Sequence, residues 1–79
     1  MKLWLILQDV NNTYDYFDSA VVAAETEEAA RNTQPDGNKS WAGAWAIWAE
    51  KPEQVTVRLI GEAPPDTEPG VILASFNAG

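Results

Sequence analysis

Ser19-Ala20-Val21-Val22-Ala23-Ala24, followed at once by Glu25-Thr26-Glu27-Glu28-Ala29-Ala30-Arg31, is the stretch on which the fold turns. The first six residues hold paired β-branched valines among small side chains and read as a strand on which another element can pack closely. The next seven change character. Thr26 is placed to cap a helix, Glu27 and Glu28 fall in the first turn where the helix dipole favours anions, and Ala29 and Ala30 supply propensity. Arg31 lies i+4 from Glu27 and i+3 from Glu28, and Pro35 with Asp36-Gly37 stops the helix after about two turns. A strand that hands over directly to a short helix predicts sheet and helix in one layered unit.

Upstream, residues 3–8 form a short apolar run that opens the fold as a strand, with Leu3, Leu5 and Leu7 on one face and Trp4 and Ile6 on the other. Both faces are apolar, which predicts a central strand. Residues 9–18 are polar and turn-prone, with Tyr14, Tyr16 and Phe17 interspersed, and read as a long hairpin connection. Downstream, Trp41, Trp45 and Trp48 fall on one helical stripe, whereas Gly43 and the tryptophans themselves suit a strand; 40–50 is read as a short helix with the strand kept open. After a turn over 51–54, residues 55–62 give the clearest strand. Val55, Val57 and Leu59 are expected in the core, with Thr56, Arg58, Ile60 and Glu62 facing out. Residues 63–70 carry three prolines and form a loop, and 71–76 close the fold as a strand before the tail 77–79. The expected fold is α+β: one domain over 1–79, a small mainly antiparallel sheet of about four strands in the chain order β-β-α-β-β, and one or two short helices on one face. Which strands are neighbours is not readable from the sequence.

Seventy-nine residues lie near the lower limit for independent folding. With no Cys and no His, the chain has neither disulfides nor the usual zinc ligands, so its four tryptophans are expected to supply much of the core. The absent cysteine fits a reducing cytoplasm. The apolar run 3–7 is too short for a signal h-region or a membrane span, and a soluble cytoplasmic protein without membrane contact is expected. A monomer is also expected.

Charge carries the functional reading. Twelve acidic against five basic residues give a formal net charge of −7. The acids cluster as Asp9, Asp15 and Asp18; Glu25, Glu27 and Glu28; and Glu62, Asp66 and Glu68. Such a body repels nucleic acid and attracts basic surfaces, so direct nucleic-acid binding is not expected and a positive partner is. Solubility and helix-dipole stabilisation explain part of the same charge. Catalysis is not expected, because the commonest general base and the strongest nucleophile are missing and Ser19, Ser40 and Ser75 have no evident activator. Asp9, Asn11, Thr13 and Asp15 match the first positions of a calcium loop, but Tyr14 replaces the required glycine and Ala20 the bidentate glutamate. No metal or other cofactor is expected. The tryptophan stripe leaves a second reading, a small non-enzymatic adaptor that binds one protein through an apolar patch.

The opening Met1-Lys2-Leu3-Trp4-Leu5, the run from Tyr14-Asp15 through Phe17-Asp18-Ser19 to Arg31, and the ending Pro52 to Ala63 and Gly70 to Gly79 together resemble a family of small acidic phage and bacterial proteins. That family includes a type I-C anti-CRISPR protein, an inhibitor of an RNA-guided DNA-binding complex. The resemblance covers both ends, while about 32–49 looks private to this chain. It implies a phage-encoded inhibitor in the bacterial host cell that mimics DNA, binds the basic DNA-binding surface of a type I-C interference complex and blocks target DNA. It transfers no catalytic residue.

Overall fold

The computed structural model describes residues 1–9, 16–35, 48–49 and 51–77. Among these residues four strands, β1 (Lys2–Leu7), β2 (Tyr16–Ala24), β3 (Thr56–Glu62) and β4 (Gly70–Asn77), form one antiparallel sheet in the order β3-β1-β2-β4. A short helix, α1 (Glu27–Arg31), follows β2, and a 3-10 turn (Pro52–Gln54) leads into β3. The fold is therefore α+β, with β1 central as its two apolar faces predict.

Registers fix which side chains share a face. Trp4 opposes Val22 and Ile6 opposes Ala20 across the β1–β2 ladder. Those four are buried together with Ala24, Ala30, Trp48, Ala49 and Val55, and they make the core on the helix side of the sheet. The small side chains of β2 act as expected, letting α1 approach closely enough to bury Ala30. Trp4 keeps its indole in this core by donating Nε1–H to the Ala24 carbonyl at 3.0 Å, so the ring is buried without an unpaired donor. At the far end of the hairpin, Gln8 is also buried, with Nε2 donating to the Phe17 carbonyl at 2.9 Å.

α1 starts as its sequence predicts. Thr26 is extended (φ −134°, ψ 161°), and its hydroxyl accepts from the Ala29 N–H at 3.1 Å. The helix ends sooner than the two turns expected. The Glu28 carbonyl still accepts the Asn32 backbone N–H at 3.1 Å, along with Asn32 Nδ2 at 2.9 Å. The Thr33 hydroxyl, however, takes the Ala29 carbonyl at 2.8 Å while the Thr33 N–H turns to the Ala30 carbonyl at 3.1 Å, so the regular ladder stops before Pro35 is reached.

Other expectations need correction. β2 begins at Tyr16 rather than Ser19, so Asp18 belongs to a strand and not to the hairpin connection. The β2–β4 register steps between Phe17 and Ser19, leaving Asp18 as a bulge residue through which the strand extends. β4 likewise runs one residue further at each end than expected. Leu59 is not a core residue. It opposes Trp4, on the covered face, yet it is 54% exposed. β3 is an edge strand, and its ladder to β1 steps between Leu3 and Trp4, passing over Ile60. Alternation correctly assigns Leu59 to the covered face, but the cover does not reach this far along the edge. Val55 is buried just ahead of the strand and Val57 is half-buried, while Thr56, Arg58, Ile60 and Glu62 are exposed as expected. Leu59→Ala is therefore expected to cost less than about 1.5 kcal/mol in urea unfolding, well short of the ~2–5 kcal/mol of a core leucine. A core-sized loss would restore Leu59 to the core.

The expected helix at 40–50 lies outside the described residues except for Trp48 and Ala49, which are not helical; the Asp36-Gly37 turn, the calcium-like loop positions 11–15, Trp41 and Trp45 lie outside them altogether. Trp48, the third member of the stripe, is 1% exposed and belongs to the core.

Candidate acidic interface

Antiparallel pairing sorts the acids by the two ends of the sheet. At one end sit Lys2 of β1, Ala24 of β2, Glu62 of β3 and Gly70 of β4; at the other sit Leu7, Ser19, Thr56 and Ser75. Glu25 leaves β2 at the Lys2 end, and Glu27 and Glu28 open the helix directly after it. The segment from β3 to β4 begins beside the first residue, where the Ala63 N–H donates to the Met1 carbonyl at 3.0 Å. It must cross below both central strands to reach the opposite edge, and it carries Asp66 and Glu68. Two clusters that are far apart in sequence, Glu25-Glu27-Glu28 and Glu62-Asp66-Glu68, therefore meet at one end of the molecule. All six side chains are exposed.

Asp9 and Asp18 gather at the opposite end. Gln8 N–H donates to the Asp18 carbonyl at 3.2 Å, which ties the chain on either side of the hairpin together, and both carboxylates are exposed. Asp15 lies outside the described residues. Glu53, exposed in the 3-10 turn that precedes β3, joins this end and was not among the expected site residues. Its signal was present in the sequence as an acid directly after Pro52, at the start of a helical turn. The described acids thus form two poles, separated by the six residues of β1, or about 20 Å at ~3.4 Å per residue.

Within the Lys2 pole, charge is not uniformly free. Arg31 Nη1 lies 3.6 Å from Glu27 Oε2, one turn along α1. The pair is solvent-accessible on both sides, so it offsets charge locally and adds little stability. Lys2 faces Glu62 across the β1–β3 ladder. No basic residue follows Arg58, which leaves Asp66 and Glu68 in a stretch of uniformly negative or neutral sequence.

The sheet surface opposite α1 has a different character. Leu3, Leu5 and Leu7 are half-buried there, beside Val21 and Leu73, and a shallow groove of about 230 Å³ opens between Leu5, Val21 and Leu73. Ser19 and Ser75, directly opposed on β2 and β4, are the polar residues lining it. Among the described residues, no helix is long and apolar enough to cross a membrane.

No protein-family model, curated protein or solved structure matches the chain.

Proposed function

We propose that this chain is a phage-encoded inhibitor that acts as an acidic DNA mimic on a type I-C CRISPR interference complex in the bacterial cytoplasm. The observation that carries the proposal is the gathering of exposed acids, distant in sequence, at the two ends of one small sheet. The reading also leans on the family resemblance of the two ends of the chain.

Magnitudes set what kind of mimic this can be. The long axis is 35 Å, close to one turn of B-DNA, and a net charge of −7 over that length is one charge per about 5 Å. Duplex DNA carries one per about 1.7 Å. The protein has roughly a third of the linear density, so it competes by matching a few basic contacts at two separated places, without reproducing a continuous phosphate track. RNA-guided complexes hold nucleic acid in positively charged channels and read a short motif beside the target. A rigid body with acids at both ends of a sheet can occupy part of such a channel and exclude DNA from it. No step of this mechanism needs chemistry, a metal or a cofactor.

The test is a pull-down with a purified type I-C complex, followed by a target-DNA gel shift. Binding with loss of the shifted DNA band is the expected result, and failure of both would end the proposal. Salt separates this reading from an adaptor that binds through apolar contacts. Raising NaCl from about 50 to about 300 mM shortens the screening length from ~14 Å to ~6 Å, so a charge-driven complex weakens by at least about tenfold. An apolar complex would hold or tighten. The apolar alternative no longer includes Trp48, which is enclosed in the core.

A further inference from the structure

We propose that the outer edge of β4 accepts an extended, lysine- or arginine-bearing segment of a partner protein as a fifth strand. The sheet has two edges, and they are protected unequally. β3 carries the exposed charges of Arg58 and Glu62 and a register step at Ile60, devices that discourage edge pairing. β4 has no charged residue and no proline from Gly70 to Asn77. Its Val71, Ile72 and Leu73 are exposed in succession, Leu73 at 69%. Among the described residues no strand pairs with the outer side of β4, and an uncharged apolar edge of this kind is what strand addition uses, with main-chain hydrogen bonds giving affinity and pockets for alternate side chains giving selectivity.

The geometry narrows where the added strand lies. The β2–β4 ladder steps over Ile72, so regular pairing on the outer side runs over Leu73 to Asn77. The groove between Leu5, Val21 and Leu73 lies just inboard of this edge and has room for a large apolar side chain from the incoming strand.

Charge identifies the occupant. The Gly70 end of β4 emerges from the segment bearing exposed Asp66 and Glu68, with exposed Glu62 at the same end of the sheet and no basic residue after Arg58. A strand added antiparallel to β4 carries its own C-terminal end past Val71 toward these carboxylates, and Lys or Arg there completes the match. A second copy of the chain is the poorer fit, because it brings another −7 and leaves the carboxylates unmatched. The inference stands apart from the identity of the interference complex, since it requires only a basic extended segment.

Fluorescence anisotropy with labelled peptides tests it. The probe is a nine-residue peptide of alternating valine and threonine ending in three lysines. One control ends in three glutamates, and others are N-methylated at every second residue in either phase, which removes backbone donors while keeping the charge. The lysine peptide is expected to bind at least about tenfold more tightly than the glutamate peptide, and N-methylation in the phase facing β4 to cost about tenfold or more. Leu73→Lys, at an exposed position and checked for folding by circular dichroism, should reduce binding to a similar extent, and Asp66→Lys with Glu68→Lys should abolish the preference for lysine. Absence of saturable binding up to about 1 mM overturns the proposal. So does equal binding of both N-methylated forms, which would mean charge attraction without strand pairing. Sedimentation showing a dimer that Leu73→Lys converts to monomer would assign the edge to a second copy instead.

Discussion

Ile6→Ala is expected to lower the free energy of unfolding by about 2–5 kcal/mol, and Trp48→Ala by about 3–5 kcal/mol. Ile6 is fully buried at the middle of the central strand, opposite Ala20 on one side and Val57 on the other. Its small neighbours on β2 cannot swing in to fill the space left by the removed carbons, so the cavity persists and the cost lies toward the upper part of that range. Among the described residues Trp48 is the largest fully enclosed side chain, packed in the same core as Ala30 and Val55. A domain of this length has a total stability of about 4–12 kcal/mol, so either substitution removes a large share of it and both together should leave the chain unfolded at 25 °C. Urea unfolding followed by far-UV circular dichroism checks both. A loss below about 1 kcal/mol at Ile6 would mean that the helix side of the sheet is not the core.

The contrast between Ile6 and Leu59 shows what alternation in a sequence can and cannot specify. Alternation gave the faces correctly in β1 and in β3 as far as Leu59, because successive side chains of a strand must point to opposite sides; the step over Ile60 then brings Glu62 opposite Lys2, on the face of Trp4 and not on the outer face that alternation assigns it. It could not say whether anything lies over a given position on that face. Cover depends on which strand is at an edge and on how far α1 extends, and neither is a local property. The helix itself divides the same way: its start was legible in Thr26 and the acids behind it, whereas its end depends on the Thr33 hydroxyl taking the Ala29 carbonyl while the Thr33 N–H turns to the Ala30 carbonyl. The acidic site was legible as residues but not as a place. The sequence presents three clusters, and the order β3-β1-β2-β4 obliges the segment after Glu62 to cross beneath the sheet, which merges two of those clusters at the Lys2 end. The apolar edge of β4 was hidden for a related reason. Its residues read as an ordinary closing strand, and only the strand order reveals that no described strand pairs with its outer side.

Charge reversal at the hairpin acids, Asp15→Lys with Asp18→Lys, is expected to weaken inhibition of the interference complex by about tenfold or more at low salt, and more than Glu27→Lys with Glu28→Lys. The comparison is controlled, because each double reversal moves the formal net charge from −7 to −3, so long-range attraction falls about equally in both. What differs is local. Glu27 already faces Arg31 at 3.6 Å, and both helix acids sit in the first turn of α1, where backbone N–H groups partly offset their charge. Asp18 is exposed on a bulge at the Leu7 end, and neither it nor Asp15 has a basic residue within eleven positions in sequence. Asp18 therefore offers a partner more unshared charge than either helix acid. DNA cleavage or gel-shift inhibition measured at about 50 mM salt, with both variants shown to be folded, gives the answer. Equal losses would mean that only net charge matters and that the two-pole arrangement has no role. A larger loss at Glu27 and Glu28 would move the contact to the Lys2 pole, where Asp66 and Glu68 would then be the next residues to reverse.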